Sequence, residues 1–252
     1  MERVNEIIEH LVKQIELKSS SMQRIAIIGS VLEVDKIETI PDLLQCIKKG
    51  IHLLYNPKII DKNFLRTYFT KEELIEAHIY FTGVHKLDCE NEIILAIGNC
   101  NITVANCKIW AYDITFINAT NCTVFASDKC TVLGTDSIIT AIDKTTINAD
   151  GYSQVNSCGH SIVKASGYTI VFASGDSNVT CFNHTQIFCY DDVKISAHDR
   201  SIVNSNGLCI LYANGESAII LTRGIIKAVN DNAVVIDRSD PKLLSFMAGH
   251  RN

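Results

Sequence analysis

The chain has 252 residues with a formal net charge of −5 and a pI of about 5.9, and it contains no apolar run long enough to span a bilayer. This acidic balance supplies no basic surface, so we expect neither nucleic acid nor membrane as a partner. The N-terminus is charged throughout and lacks the apolar core of a signal peptide. These features predict a protein made and kept in the cytoplasm, with incorporation into a particle after synthesis as an alternative.

Residues 1–90 are predicted to form a small α+β domain that caps the rest of the chain or interacts with a partner. Val4, Ile8, Leu11 and Ile15 are spaced four, three and four residues apart, which is the apolar seam of an amphipathic helix of two heptads. Such a seam is typical of an oligomerisation or partner-binding helix. It is also typical of a helix that packs on its own domain or caps the first coil, and both interpretations stay open.

Further local signals follow in this N-terminal region. Residues 25–28 (IAII) predict a short strand, and residues 41–49 predict a helix with proline in its first turn and Gly50 as its stop. Thr70 and Glu73 have the spacing of a capping box, which predicts a helix that ends near Ala77. Residues 79–81 and 85–89 are expected to be strands that lead into the next domain.

The second predicted domain, residues 91–237, repeats itself about every eight residues. Each unit has a branched aliphatic residue first, a small residue third and Gly, Asn or Asp fifth, with few exceptions. A fixed short period predicts a solenoid of stacked coils, in which each unit is a short strand followed by a turn. The opening residues of the units are Ile94, Ile102, Ile109, Ile117, Val124, Val132, Ile139, Ile147, Val155, Val163, Val171, Val179, Ile187, Ile195, Val203, Leu211, Ile219 and Ile226.

The steps between opening residues indicate how many units close one coil. Up to Ile147 the steps alternate between eight and seven residues, and from Ile147 to Ile219 every step is eight. Strict alternation predicts two arcs of unequal length per coil, with long arcs stacked on long arcs and short arcs on short arcs. The coil is therefore expected to be flattened and to contain 15–16 residues. A triangular coil of three arcs is the alternative. The predicted fold class is mainly β: a parallel β-solenoid preceded by a small α+β capping domain.

The repeat resembles that of octad-repeat β-solenoid proteins from bacterial and phage genomes. Stretches such as ITAIDKTT, IVKASGYT, VFASGDSN and ISAHDRSI are similar to the pattern V-x-A-x-[GD]-[NS]-[AS]-[TS] of that group, and the likeness covers about residues 94 to 236. The resemblance implies a parallel β-helix fold. Because most members of the group are uncharacterised, it implies no catalytic residue.

Ten cysteines raise the question of zinc or disulfides, but no CxxC pair occurs. Five of them fall at the third or seventh position of a repeat, where small residues stand in neighbouring units, so we interpret them as buried thiols in a reducing compartment. The metal alternative would need Cys181 and Cys189 to recruit His184 or His198. We expect no metal site and no cofactor.

One column of outward residues is unusually aromatic. In a two-arc coil, the second position of every other unit forms one column, and aromatic side chains at the fourth position extend it. An exposed apolar ladder of this kind is typical of a binding surface for a protein partner, a second copy or a sugar. The same residues would be expected if the N-terminal domain folded over the column or if the rings only filled cross-strand pairs. The members are Trp110, Tyr112, Phe125, Phe172, Phe188 and Tyr190.

Acidic residues are numerous in the repeat, but most stand at turn positions. The best candidate for an acid–base cluster is the group His198, Asp199 and Asp191. The sequence contains no phosphate loop, nucleophile elbow or zinc motif. We therefore expect a non-enzymatic scaffold or binding module that acts in assembly or in recognition of a protein partner. The alternatives are a glycan-binding or glycan-active solenoid and a structural protein of a virion or secretion particle. Residues 238–252 are predicted to be a C-terminal cap or tail, with 241–248 as a short amphipathic segment.

Overall fold

A computed structural model of the protein describes residues 2–30, 37–55 and 57–238. Within these residues the chain forms a helical region and then a parallel β-solenoid with a coil of about sixteen residues, which confirms the predicted fold class. The predicted C-terminal cap at 241–248 lies outside the described residues. Among those that are described, no helix combines the length and apolar character needed to cross a membrane.

The helical region contains five helices within the described residues: α1 (Glu2–Lys18), α2 (Ser21–Ser30), α3 (Ile40–Leu54), α4 (Lys62–Tyr68) and α5 (Lys71–Glu76). Their apolar sides meet in one core, which also includes outward residues from the first strands of the solenoid. The helical region is therefore joined to the solenoid by packing as well as by the chain.

Capping boxes begin two of these helices. At the start of α3, the side chain of Thr39 accepts from the backbone N–H of Asp42, and the Thr39 N–H donates to the Asp42 carboxylate at 3.0 Å. At the start of α5, the Thr70 N–H donates to the Glu73 carboxylate at 2.8 Å, and the Glu73 N–H donates back to the Thr70 hydroxyl at 3.2 Å. The capping box predicted from the spacing of Thr70 and Glu73 is confirmed.

Two local predictions in the helical region are wrong, and the separate strands expected at 79–81 and 85–89 are one strand that ends at Lys86. Residues 25–28 belong to α2 and not to a strand, since periodicity alone does not distinguish a short apolar run in a helix from one in a strand. In this helix Ile27 is buried, whereas Ile25 and Ile28 are exposed. Helix α3 also continues through Gly50 to Leu54. A glycine inside a helix costs only about 1 kcal/mol, whereas the continuation fully buries Ile51 and Leu54, which contributes about 1.5–3 kcal/mol for each side chain.

The solenoid is built from nineteen described strands: β1 (Ile79–Lys86), β2 (Ile93–Ala105), β3 (Lys108–Asp113), β4 (Phe116–Thr120), β5 (Thr123–Ala126), β6 (Thr131–Thr135), β7 (Ile138–Ala141), β8 (Thr146–Asp150), β9 (Gln154–Ser157), β10 (Ile162–Ala165), β11 (Ile170–Ala173), β12 (Asn178–Cys181), β13 (Gln186–Cys189), β14 (Lys194–Ala197), β15 (Ile202–Ser205), β16 (Ile210–Ala213), β17 (Ala218–Leu221), β18 (Ile225–Val229) and β19 (Val234–Asp237). Strand β1 lies inside the segment predicted as the N-terminal domain and already pairs in parallel with β2.

From β3 onward, each strand pairs in parallel with the second strand after it, which is the pairing of a coil with two arcs. Val163 lies beside Val179, one coil and sixteen residues later, whereas in the earlier coils Ile109 lies beside Val124 after fifteen residues. The two-arc coil is confirmed, and the three-arc alternative is wrong because it would pair each strand with the third one along.

The two arcs give the solenoid two outward faces. Residues 93–98 of β2 stack with β3, β5 and the later odd-numbered strands, and we call the outward side of this stack the odd face. Residues 101–105 of β2 stack with β4, β6 and the later even-numbered strands, and their outward side is the even face.

The interior is lined by the aliphatic first position and the small third position of each unit, nearly all fully buried. The hydroxyl at the seventh position is buried as well, and it donates to the carbonyl three residues earlier: Thr145 to Ile142 at 2.7 Å and Ser161 to Cys158 at 2.7 Å are examples. Such bonds satisfy the hydroxyl within its own corner and allow a polar residue in the core, although the Ser217 hydroxyl has no partner among the described residues.

The corners between arcs use the left-handed backbone conformation at the fifth position. Asp128, Asp143, Gly167 and Asp199 all have φ between 55° and 70° there. The carboxylates in this column also accept main-chain bonds from an adjacent coil, since the Asp113 N–H donates to Asp128 at 3.1 Å. The Asp, Asn and Gly residues at this position are therefore explained by the corner.

Candidate functional site

The first part of the odd face is covered by the helical region. Trp110 and Tyr112 are 8% and 1% exposed. The Trp110 ring stacks on His52 of α3 at a centroid distance of 5.4 Å, and the Tyr112 ring lies 4.0 Å from that of Tyr55. Phe125 is half-buried beside Trp110, at 4.8 Å. The prediction that these three residues belong to an exposed column is wrong, because the N-terminal region folds over them.

Val4, Ile8, Leu11 and Ile15 do not form a free oligomerisation seam. All four are at most 6% exposed, and they pack in the core shared by the helices of the same chain. The α1 helix itself is confirmed, but its apolar side is already occupied. The interpretation as an oligomerisation helix is therefore wrong in this fold, and the alternative of packing on its own domain is the correct one.

The aromatic residues farther along the odd face lie beyond the helical cover. Phe172 is 36% exposed and stacks on half-buried Phe188, with ring centroids 5.2 Å apart and planes 14° apart. Tyr190 is 45% exposed at the neighbouring corner. The predicted column therefore consists of two parts, one that is buried under helices and one that is open.

The open part contains a second column that the sequence analysis missed. It is formed by the residue just before each inward aliphatic, and Ile138, Ile170, Ile202 and Val234 are each at least 37% exposed there. We call the two columns from β7 to β19 the open face. Strand register places the first column as Ile138, Gln154, Ile170, Gln186, Ile202, Ala218 and Val234, and the second as Thr140, Asn156, Phe172, Phe188, Asn204, Ile220 and Ile236.

The open face carries no charged side chain in either column. The even face differs, since Lys164 and Lys194 stand at equivalent outward positions and Asp150 ends β8. Six of the seven strands present an aromatic or branched aliphatic side chain, whereas β9 presents Gln154 and Asn156. An uncharged, largely apolar face of this kind usually contacts another macromolecule.

A second group of rings lies along one corner of the solenoid. Tyr152, Tyr168 and His184, each one coil apart, stack with centroids 5.3 and 5.0 Å apart and planes 8° and 14° apart. Phe182 and His198 form a similar pair beside them at 5.0 Å. The faces of these rings are turned toward one another along the solenoid, and Tyr152 and Tyr168 are 77% and 55% exposed. Tyr152, Tyr168 and His184 occupy the sixth position of their units and are sixteen residues apart, so the repeat spacing alone predicts that their rings stack.

The predicted acid–base cluster is divided between structural roles. The carboxylate of Asp199 accepts from the Asn183 N–H at 3.0 Å, and that of Asp191 accepts from the Gly175 N–H at 3.2 Å. The His198 ring stacks on Phe182. Both carboxylates therefore hold the corner of the adjacent coil, as the turn interpretation of the sequence predicts.

A cleft of about 640 Å³ lies between the start of α4 and the corners of the first coils. Lys62, Lys129 and Lys144 line it together with the corner carboxylates of Asp113, Asp128 and Asp143. The two signs of charge alternate, so the cleft has no net preference for an anion or a cation.

Beside this cleft, the hydroxyl of Tyr55 donates to the Asp113 carboxylate at 2.8 Å. Burial and this hydrogen bond raise the pKa of Tyr55. The bond fixes the end of α3 on the solenoid corner and does not prepare the phenol for proton transfer at neutral pH.

The cysteines are placed as small interior residues. Cys181 and Cys189 are fully buried, and their thiols lie 3.5 and 3.6 Å from the main-chain carbonyls of Ser196 and Asn204. Since His184 stacks on an outward-facing ring, the fold does not bring it to these thiols. Within the described part of the chain, no three His, Cys, Asp or Glu side chains are grouped to hold a metal ion.

No known protein family, no curated protein and no solved structure matches this chain. The parallel β-solenoid is therefore defined here by its own strand pairing.

Proposed function

We propose that the protein is a non-enzymatic scaffold that binds a protein partner through the open face. The observation that carries this proposal is the absence of charge over the seven odd-numbered strands β7 to β19, six of which present an aromatic or branched aliphatic side chain. On the first coils of the same face, the equivalent residues are buried by the helical region, so this surface is already suited to packing against protein.

A glycan-binding function is less well supported by the ring geometry. Aromatic platforms for sugars need an exposed ring face, whereas Phe172 and Phe188 turn their faces toward each other. The edges that remain suit contacts with apolar protein side chains. A catalytic function is disfavoured because Asp191 and Asp199 both bind backbone amides of adjacent coils.

We also propose that the chain belongs to the octad-repeat β-solenoids of bacteria and phages. The support is the repeat pattern together with the parallel coil of about sixteen residues, which equals two such repeats. Rigid rods of this kind serve as spacers in assemblies, and this analogy favours a structural role in a particle.

Capture experiments test the proposed function. Immobilised wild type, the double variant Ile170→Glu/Phe172→Glu and the control Ile162→Glu would be incubated with an extract of the source cells. Ile162 is 54% exposed on the even face, so the control adds a charge to a comparable strand position. A partner retained by wild type and control but lost from the double variant supports the proposal. Identical sets of captured proteins from all three would show that the open face is not the binding surface.

A further inference from the structure

We propose that the partner of the open face is a second copy of this chain, packed face to face with its coils running in the opposite direction. This inference rests on the proposed function, because it identifies the occupant of the same surface. Two observations support it, the absence of charge and the position of the helical region, and the dimensions of the face set the expected affinity.

The chain has 23 basic and 28 acidic residues, yet none stands in either column of the open face. Two identical surfaces can meet without repulsion only if they lack charge or alternate its sign. A surface adapted to a charged foreign partner would carry the complementary charge. The open face therefore meets the first of these conditions, whereas the even face carries Lys164 and Lys194.

The helical region determines the relative direction of the two copies. It covers the odd face at Leu95, Trp110 and Phe125 and stands out from that face. With parallel coils, the two helical regions would collide and hold the faces apart. With antiparallel coils, each helical region lies beyond the last coil of the other copy. Phe188 is the central member of its seven-residue column, so the two Phe188 rings meet at the two-fold axis of such an isologous dimer.

The dimensions of the open face predict a weak dimer. Seven strands at about 4.8 Å spacing and four residues at about 3.3 Å rise give a face of about 29 by 13 Å, on the order of 400 Å² per copy. A standard interface buries about 800 Å² per partner, so we expect association in the micromolar range.

The test is sedimentation equilibrium of the full chain from about 1 to about 200 µM, the range expected for an interface of this size. The proteins are wild type, Phe188→Glu, Ile202→Glu and, as a matched control on the even face, Tyr212→Glu. Circular dichroism verifies that each variant is folded. Wild type and control should rise from 27.9 kDa toward twice that mass. The dissociation constant of either face variant should be at least about 100-fold higher, because each dimer would bury two unpaired charges, one from each copy.

A second test is the dependence of dimerisation on ionic strength. Because the face is uncharged, the dissociation constant of wild type should change less than about twofold between about 0.05 and 0.5 M salt. Dimerisation that weakens strongly with salt would mean a charged interface elsewhere and would overturn the proposal.

Three further outcomes would overturn it. A wild type that stays monomeric excludes a second copy; the capture experiment then decides the proposed function, which survives if a foreign protein is lost only from the face variant. A dimer that persists in both Phe188→Glu and Ile202→Glu uses another surface, such as the end of the solenoid. A chain that dimerises only after removal of residues 239–252 would show that this segment, with its apolar residues Leu243, Leu244 and Phe246, covers the face.

Discussion

Phe172 and Phe188 stand on adjacent coils with their ring planes 14° apart, whereas Trp110, in the same column, stacks on a histidine of the helical region. One column of the repeat thus performs two different tasks along its length. The covered part joins the helical region to the solenoid, and the open part remains available for contact with another molecule.

This division predicts unequal losses of stability when the two aromatics are truncated. Trp110→Ala should lower the free energy of unfolding by about 3–5 kcal/mol, since it leaves a cavity between α3 and the first coils. Phe172→Ala should lower it by about 1 kcal/mol, because it removes a half-exposed stacked pair. Urea unfolding followed by far-UV circular dichroism measures both. Equal losses would contradict the placement of Trp110 under the helices.

The corner conformation predicts a cost for a side chain at Gly167. Its φ is +70°, and a Cβ there would approach the carbonyl oxygen of Gly151 to 2.8 Å. Gly167→Ala should therefore destabilise the fold by about 1–3 kcal/mol. Asn183 occupies the same corner position one coil later, and Asn183→Gly should change stability by less than about 0.5 kcal/mol. If Gly167→Ala leaves the free energy of unfolding unchanged, the corner must be able to adopt a different backbone conformation.

The ion pair between α1 and α5 predicts a pH-dependent contribution to stability. Hydrogen bonds from the Arg3 guanidinium, at 2.7 and 2.8 Å, lower the pKa of Glu73 to about 2. A carboxyl group with a lowered pKa stabilises the fold above its ordinary pKa and loses this contribution as the pH falls toward 2. Both side chains are partly exposed, so the contribution is at most about 1 kcal/mol.

Glu73→Gln isolates this charge, because glutamine still accepts the Thr70 N–H of the capping box. Wild type should be more stable than Glu73→Gln at about pH 7, and the difference should disappear by about pH 2. Urea midpoints at a series of pH values provide the measurement. A difference that does not depend on pH would assign the loss to the cap and not to Arg3.

Thiol burial predicts an order of alkylation. Burial raises the pKa of Cys130 to about 12 and that of Cys181 to about 11, and both side chains are at most 1% exposed. Cys158 is half-exposed at a corner. Iodoacetamide labelling of the native protein, followed by peptide mass spectrometry, should modify Cys158 well before Cys130 or Cys181. Early modification of Cys181 would mean that the coils open readily.

The solenoid could be predicted almost completely from the sequence, because its repeat imposes the same requirement on every coil. An aliphatic residue such as Val163 must face inward, a small one such as Ala165 must leave room for the opposite sheet, and Gly167 must turn the chain. Each rule is local, so the spacing of opening residues was enough to select two arcs.

The candidate site was predicted less well, because the alternation along a strand separates inward from outward residues but does not say what covers the outside. Trp110 and Phe172 have the same repeat position, and only the packing of α3 distinguishes them. The Ile170 and Ile202 column was not predicted, because the residue before the inward aliphatic alternates between Ile and Gln on these coils and gives no uniform apolar signal. The helical region has no repeat to reinforce weak local signals, which explains the errors at residues 25–28 and at Gly50.

The pairing of each coil with only its immediate neighbours has a consequence for how such a protein changes over generations. Helical contacts end at the first coils, so a duplication or deletion of sixteen residues farther along, for example within β10–β16, would leave both the helices and the last coil in their own surroundings. Each such event would lengthen or shorten the open face by about 4.8 Å. The length of the open face can therefore change in steps of one coil while the fold stays the same.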